Sequence, residues 1–352
     1  NDKRLIETDK LSGVYQEAEF LKRYNDNKIQ ALETPKEVIY HDHGFSENGI
    51  NFLLEIKSYD NKDRWICTLN ENGELSEINH QHDQAWIGGP GISSWNMVEG
   101  NVGWISNESI FFQSEATGYS HLYSYNLKSK STVQLTKGKF EVHEAYLNKA
   151  KSDFFISANR SHPGNRDFLI LNIQTKTITP ILTGEGNHSV SVSPDEKTLL
   201  IRYSLKNKPW ELYTAKLEPN TKMKQITHST TKEFNKYNWR SPEIVTFKAT
   251  DNTDVNERIY KPKNGTTNGA AVIFVHCAGY LQNADNWWSG YHIEFMFNNL
   301  LADKGFTVLD IDYRASKGYG RDFRTGIYRY MGGKDLSDNT DGRQYLINNY
   351  DI

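Results

Sequence analysis

"AAVIFVHCAGYLQNADNWW", residues 270–288, begins with six apolar residues and then changes to His276, Cys277, Gly279 and Tyr280 before a cluster of aromatics. Six apolar residues are about the length of a strand covered on both faces, as in a parallel sheet flanked by helices. The residues at the carboxyl end of such a strand sit where open α/β sheets place their ligand sites. The stretch therefore predicts an α/β region in the last third of the chain, with chemistry at its strand end.

The surroundings agree. In "HIEFMFNNLLADKG" (292–305) Ile293, Met296, Phe297, Leu300 and Leu301 follow helical spacing, and Gly305 is the stop signal. "FTVLDID" (306–312) is a second buried strand, so strand, helix and strand predict a right-handed parallel crossover. Upstream, Glu243–Lys248 and Val255–Tyr260 read as two antiparallel strands ended by Pro262. Downstream, Asp335, Asp338 and Asp341 precede Tyr345 and Leu346, as in a helix with acidic residues near its positive end.

The first two thirds have a different period. "NFLLEIKSYDNKDRWICTLNENGELSEI", "SIFFQSEATGYSHLYSYNLKSKSTVQL", "SDFFISANRSHPGNRDFLILNIQTKTITPI" and "KTLLIRYSLKNKPWELYTAKLEPNTKMKQI" each read strand, polar turn, alternating strand, polar turn, short strand. The third strands of the last three units begin near His121, Asp167 and Glu211, steps of 46 and 44 residues. The first unit, near Arg64, lies 57 residues before the second, and the surplus falls in the Gly-rich "WIGGPGISSWNM", read as an inserted loop. A strand-rich repeat of about 40 to 50 residues is the signature of a β-propeller blade, whereas a β-sandwich gives less regular internal similarity. Four consecutive blades are expected from about Lys36 to Glu233. "GVYQEAEFLKRYNDNKIQAL" (13–32) fits a short helix or a loop, and its Glu17 and Glu19 read as a solvated charged face rather than a clamp for a peptide amino terminus.

Composition excludes several classes. The 352 residues are 37% hydrophobic and 12% aromatic, a globular composition. Lys and Arg number 41 against 44 Asp and Glu, a net charge of −3, so no field favours nucleic acid or an anionic bilayer. Cys67 and Cys277 match no zinc or redox spacing and read as free thiols. No apolar run approaches the roughly 20 residues of a membrane span, and "NDKRLIETDK" has no signal-peptide core. "HDH" (41–43) and "HQH" (80–82) have metal-capable side chains without a convergent third ligand, and the glycines of "GYG" and "MGG" lack phosphate-loop spacing, so neither a metal nor a cofactor is expected.

The blade repeats with "SEATGYSHLYSYNL", together with "DYRASKGYGRDFR" and "YMGGKDLSDNTDGRQYL", resemble the dipeptidyl peptidase IV branch of the prolyl oligopeptidase family of serine peptidases. The likeness runs from about Lys36 to Ile352, and its specific part is Ala270 to Leu346. It implies an N-terminal propeller, here its last four blades in residues 1–240, followed by the first half of an α/β-hydrolase domain in residues 241–352, with peptides as substrates. It implies a periplasmic or secreted setting and allows a homodimer. The family's Ser, Asp and His triad is expected beyond Ile352; Gly-x-Ser-x-Gly does not occur in these residues. The family's acidic pair is not carried over to Glu17 and Glu19, whose neighbours do not match.

In the family, the loop after this strand contributes to the oxyanion hole, often through a tyrosine directly after the strand. Here that position is His276, and Tyr280 is close enough in sequence to serve instead; both stay open as donors. Asp312 and Arg314 match an Asp-x-Arg that holds the loop. Dipeptidyl, tripeptidyl and acyl-aminoacyl release remain open. A protein-binding propeller and an esterase on the same scaffold are the alternatives. The chain as given is expected to be inactive, with an unpaired sheet edge and exposed apolar surface.

Overall fold

A computed structural model of the chain describes residues 6–93, 98–263, 266–278, 281–350 and 352. Four antiparallel four-stranded sheets follow one another, each with its strands in sequence order. The first contains β1 (Val38–Phe45), β2 (Asn51–Ser58), β3 (Asp63–Asn70) and β4 (Leu75–His82). The second contains β5 (Val102–Ser106), β6 (Ser109–Ser114), β7 (His121–Asn126) and β8 (Ser131–Gln134). The third contains β9 (Val142–Leu147), β10 (Asp153–Ala158), β11 (Asp167–Asn172) and β12 (Ile178–Leu182). The fourth contains β13 (Asn187–Val192), β14 (Thr198–Leu205), β15 (Lys208–Lys216) and β16 (Lys224–Gln225). These are the expected propeller blades, within the expected limits.

Each blade buries apolar side chains against its neighbour. Leu53 and Ile66 of the first sheet pack on Val102, Ile110, Phe112 and Tyr123 of the second. Phe155, Phe168 and Ile181 of the third pack on Leu199, Ile201 and Ala215 of the fourth. This face-to-face packing of successive small sheets is what the alternating strands require. The chain forms two compact units, the first made of 1–138, 142–154 and 173–176, the second of 139–141, 155–172 and 177–352.

The segment 13–32 is mostly loop, with one 3-10 turn at Glu19–Tyr24. Glu17 is buried and accepts from the Gln30 amide at 2.8 Å and Asn25 Nδ2 at 3.0 Å, so it shapes that loop and is not a solvated acid. Glu19 pairs with Lys22 at 2.5 Å.

After α1 (Lys232–Lys236) the last sheet forms from β17 (Glu243–Lys248), β18 (Asp254–Tyr260), β19 (Ala271–Phe274) and β20 (Thr307–Asp312), with α2 (His292–Asp303) between the last two. Its order is β17-β18-β20-β19. β17 and β18 are antiparallel, and β19 lies parallel to β20 with Ala271 opposite Thr307 and Phe274 opposite Asp310. The predicted crossover is present. Gly305 follows α2 with φ +90, a left-handed position that glycine adopts without a Cβ penalty. α3 (Arg321–Arg324) and α4 (Lys334–Asn349) complete the region.

The α2 helix buries only part of the predicted stripe. Met296 and Leu301 pack against a core of Phe295, Ala302, Tyr260 and Val308, while Ile293, Phe297 and Leu300 are exposed. Asn299, fully buried, accepts from the Arg240 amide at 2.9 Å and donates to Phe295 O at 2.9 Å. β19 is an edge strand, and Val275 at its end is 56% exposed. Among the described residues this helix face and this sheet edge are uncovered apolar surface.

Candidate functional site

The carboxyl ends of β19 and β20 carry the site. His276, two residues past β19, is sealed from solvent. Its Nε2 lies 3.0 Å from Asp312 Oδ1, at the end of β20, and its Nδ1 lies 2.8 Å from Cys277 O. Both partners are acceptors, and only an imidazolium can donate from both nitrogens. Burial opposes that charge, but the hydrogen bond and charge of Asp312 raise the imidazole above its ordinary value. Tyr313 stacks on the ring and donates from its hydroxyl to His276 O.

Asp312 organises the loop that follows. Its Oδ1 accepts from the Asn283 amide at 2.7 Å, and its Oδ2 accepts from the Ala284 amide at 3.0 Å and from Tyr319 OH at 2.6 Å. Asn283 Nδ2 donates to Asp310 at 3.1 Å. Asp310 is pushed up to about 6 by burial, against the pull of the nearby Arg258. Arg258, also buried, pairs with Asp285 and donates to Asp285 O at 2.6 Å. A segment with no regular structure is thereby fixed by carboxylates on the strand beneath it.

The same loop is held from the third blade. Asn286 donates from its amide to Gly164 O at 2.8 Å and from Nδ2 to Asn165 Oδ1 at 2.7 Å. Arg166 donates to Gln282 Oε1 at 3.0 Å and covers the Trp287 ring at 4.6 Å, while Gln282 Nε2 donates to Pro163 O at 3.0 Å. Asn159 Nδ2 donates to Gly318 O at 2.9 Å. Contact is so close at Gly164 that a Cβ there would lie 2.8 Å from Ala284 O and 3.1 Å from Asp285 Cα. Only glycine fits.

Ser316 Oγ approaches His276 Nε2 at 3.4 Å, which sets Ser, His and Asp side by side. They are not a triad. Asp312 and Ser316 address the same ring nitrogen, all three are buried, and the hydroxyl already donates to Tyr313 O at 2.7 Å. Asp312 and Arg314 hold different segments. Arg314 joins Asp338 of α4 through its amide at 2.7 Å and through its guanidinium, and also meets Asp251. Tyr280 lies outside the described residues.

The Asp312 and His276 positions were accessible from sequence. Asp285, Asp310, Arg258, Arg166 and Gln282 were not, because each becomes meaningful only when strands and blade loops distant in sequence come together.

Comparison with known proteins fits this geometry. The family described as "Dipeptidyl peptidase IV (DPP IV) N-terminal region" matches residues 21–210, and the family described as "Prolyl oligopeptidase family" matches residues 293–352. The chain belongs to the prolyl oligopeptidase family, in its dipeptidyl peptidase IV branch. Within that branch it is 22% identical to human dipeptidyl peptidase 8 over 282 residues, covering 70% of this chain and 31% of that protein. It is 27% identical to the uncharacterized peptidase YuxL of Bacillus subtilis over 159 residues, covering 45% of this chain and 23% of that protein. A crystal structure of a candidate dipeptidyl aminopeptidase IV from Bacteroides ovatus shares the fold at a TM-score of 0.73 and 20% identity, over 92% of this chain and 48% of that one. The chain spans about a quarter to a third of the length of the curated relatives it matches.

Proposed function

We propose that this prolyl oligopeptidase family chain forms part of a serine exopeptidase that releases dipeptides or tripeptides from free peptide amino termini. On this reading residues 1–240 are the propeller portion, residues 241–352 begin the hydrolase domain, and the Ser, Asp and His of catalysis come from residues outside these 352. The observation that carries the reading is the loop after β19, fixed by Asp312 from below and by Gly164, Asn165 and Arg166 from the side. A loop held this rigidly at the carboxyl end of a parallel strand suits donors that must be preorganised for an oxyanion.

Within that loop His276, whose nitrogens are both engaged, acts as a positioning residue. Tyr280 is the side-chain donor, together with loop amides.

The experiment is an assay of the full-length open reading frame with dipeptidyl and tripeptidyl p-nitroanilides, each with a free or acetylated amino terminus. Hydrolysis only of substrates with free amino termini, abolished by a serine-directed phosphonate, is the expected result. Preference for the acetylated substrates or for simple esters would replace the exopeptidase reading by that of an acyl-aminoacyl hydrolase or an esterase.

A further inference from the structure

The first blade holds an arrangement for which the peptidase reading has no use. β3 and β4 pair with Asp63 opposite His82 and Trp65 opposite His80. Strand alternation puts His80 and His82 on one face, and the carboxylate of Asp63 reaches the same place. His80 Nε2 and His82 Nδ1 each lie 2.8 Å from Asp63 Oδ1, and one ligand atom from each residue lies within 4.8 Å of the others. The third ligand that "HQH" lacks in sequence is supplied across the sheet. We propose that Asp63, His80 and His82 form a binding site for one divalent transition-metal ion of the zinc class.

The chemistry fits in four respects. Two imidazole nitrogens and a carboxylate oxygen are a donor set for Zn²⁺, with the remaining positions filled by water. Ligand atoms about 2.0–2.2 Å from a tetrahedral ion stand roughly 3.3–3.5 Å apart, so each histidine needs to move from Asp63 by only about half an ångström. The ion would replace the protons that Asp63 Oδ1 now accepts. The supporting contacts are already in place: His80 stacks on Trp65 at 5.3 Å, and Lys36 Nζ sits 2.5 Å from Asp63 Oδ2, leaving Oδ1 for the ion as a hydrogen-bonded carboxylate ligand. The Lys36 charge weakens the site, but Asp60 offsets it from 3.0 Å. Access is open on the His82 side, which is 35% exposed against 1% for Asp63. Low-micromolar rather than nanomolar binding follows from three protein ligands with a cation nearby.

The test is calorimetric titration of the tag-free, chelator-treated chain with ZnCl₂. One ion per chain is expected, bound at least tenfold more weakly by His80→Ala and by His82→Ala. Co²⁺ provides a second readout, since a four- or five-coordinate ion gives a visible absorption band that His82→Ala, a change at a part-exposed position, should remove while the circular dichroism stays native. Binding weaker than about 1 mM, or binding and a cobalt band unchanged in both variants, would overturn the proposal and leave the three side chains as a hydrogen-bonded tie between β3 and β4.

Discussion

Two buried ionic clusters, one in the first blade and one at the end of the last sheet, solve the same problem differently. In the blade, Glu55 pairs with Arg64 on the adjacent strand, accepts the Gly100 amide at 2.7 Å and meets His43 Nε2 at 3.3 Å. Burial would raise Glu55, but Arg64 and these hydrogen bonds outweigh it and hold the carboxyl at about 2. At the sheet end burial outweighs the pull of the nearby cations and pushes Asp310 up to about 6. On the opposite face of β18, Glu257, with neither oxygen hydrogen-bonded, is pushed up to about 8. The blade cluster is settled by near neighbours and serves stability. The sheet-end cluster draws on 159–166, 258, 276–278, 282–288 and 310–319 and fixes the segment 282–288.

The comparison breaks most visibly at Glu55. Glu55→Ala leaves Arg64 buried and unpaired and is expected to cost about 3–5 kcal/mol in chemical unfolding. The depressed carboxyl also sets a pH window: its contribution, on the order of 3 kcal/mol, is present above the ordinary value of 4.5 and lost as pH falls toward 2. A variant within 1 kcal/mol of wild type would remove the distinction between the clusters.

The sheet-end loop should instead respond in rate. In the full-length enzyme Tyr280→Phe is expected to lower kcat roughly a hundredfold with little change in KM. His276→Ala should lower kcat, raise KM and reduce stability together, because it removes the anchor rather than the donor. Equal behaviour of the two variants in kcat, KM and melting would refute this division of roles.

Gly164→Ala probes the link from blade loop to strand-end loop. Its Cβ would meet backbone atoms at 2.8 and 3.1 Å, so the loop must shift, at a cost of about 1–3 kcal/mol. A fall in kcat/KM larger than that of an exposed-surface alanine control is expected. Wild-type kinetics would show the link to be packing alone.

The effect expected at Glu257 depends on pH. A carboxyl raised to about 8 favours the folded state while it keeps its proton, so stability falls as pH rises from about 4.5 to 8. Glu257→Gln should match wild type near pH 5 and exceed it by on the order of 4 kcal/mol at pH 9. A constant difference across that range would mean that Glu257 ionises at its ordinary pH.

These clusters also mark how far the sequence could be read. Blades and crossover were legible because each rests on local period: third strands read near His121, Asp167 and Glu211 begin at His121, Asp167 and Lys208, and 270–275 is apolar throughout. The orientation of α2 was legible only at Met296 and Leu301, because Phe295, Asn299 and Ala302 win the rest of the core through contacts with Tyr260, Val308 and Arg240, which spacing alone cannot weigh. Glu17 was misread, and the contacts of Asp63 went unseen, for a related reason. Their partners, Gln30 for one and His80 and His82 for the other, are 13 to 19 residues away and meet them only through loop folding or strand register.

The most direct measurement is active-site labelling of the full-length protein with a serine-directed fluorophosphonate, followed by peptide mapping. The expected result is a single labelled serine outside residues 1–352, no label on Ser316, and no labelling of the 352-residue chain alone. Labelling of Ser316 or any other residue within 1–352, with loss of activity, would contradict the assignment of this chain as blades and half a sheet that support a nucleophile supplied from elsewhere.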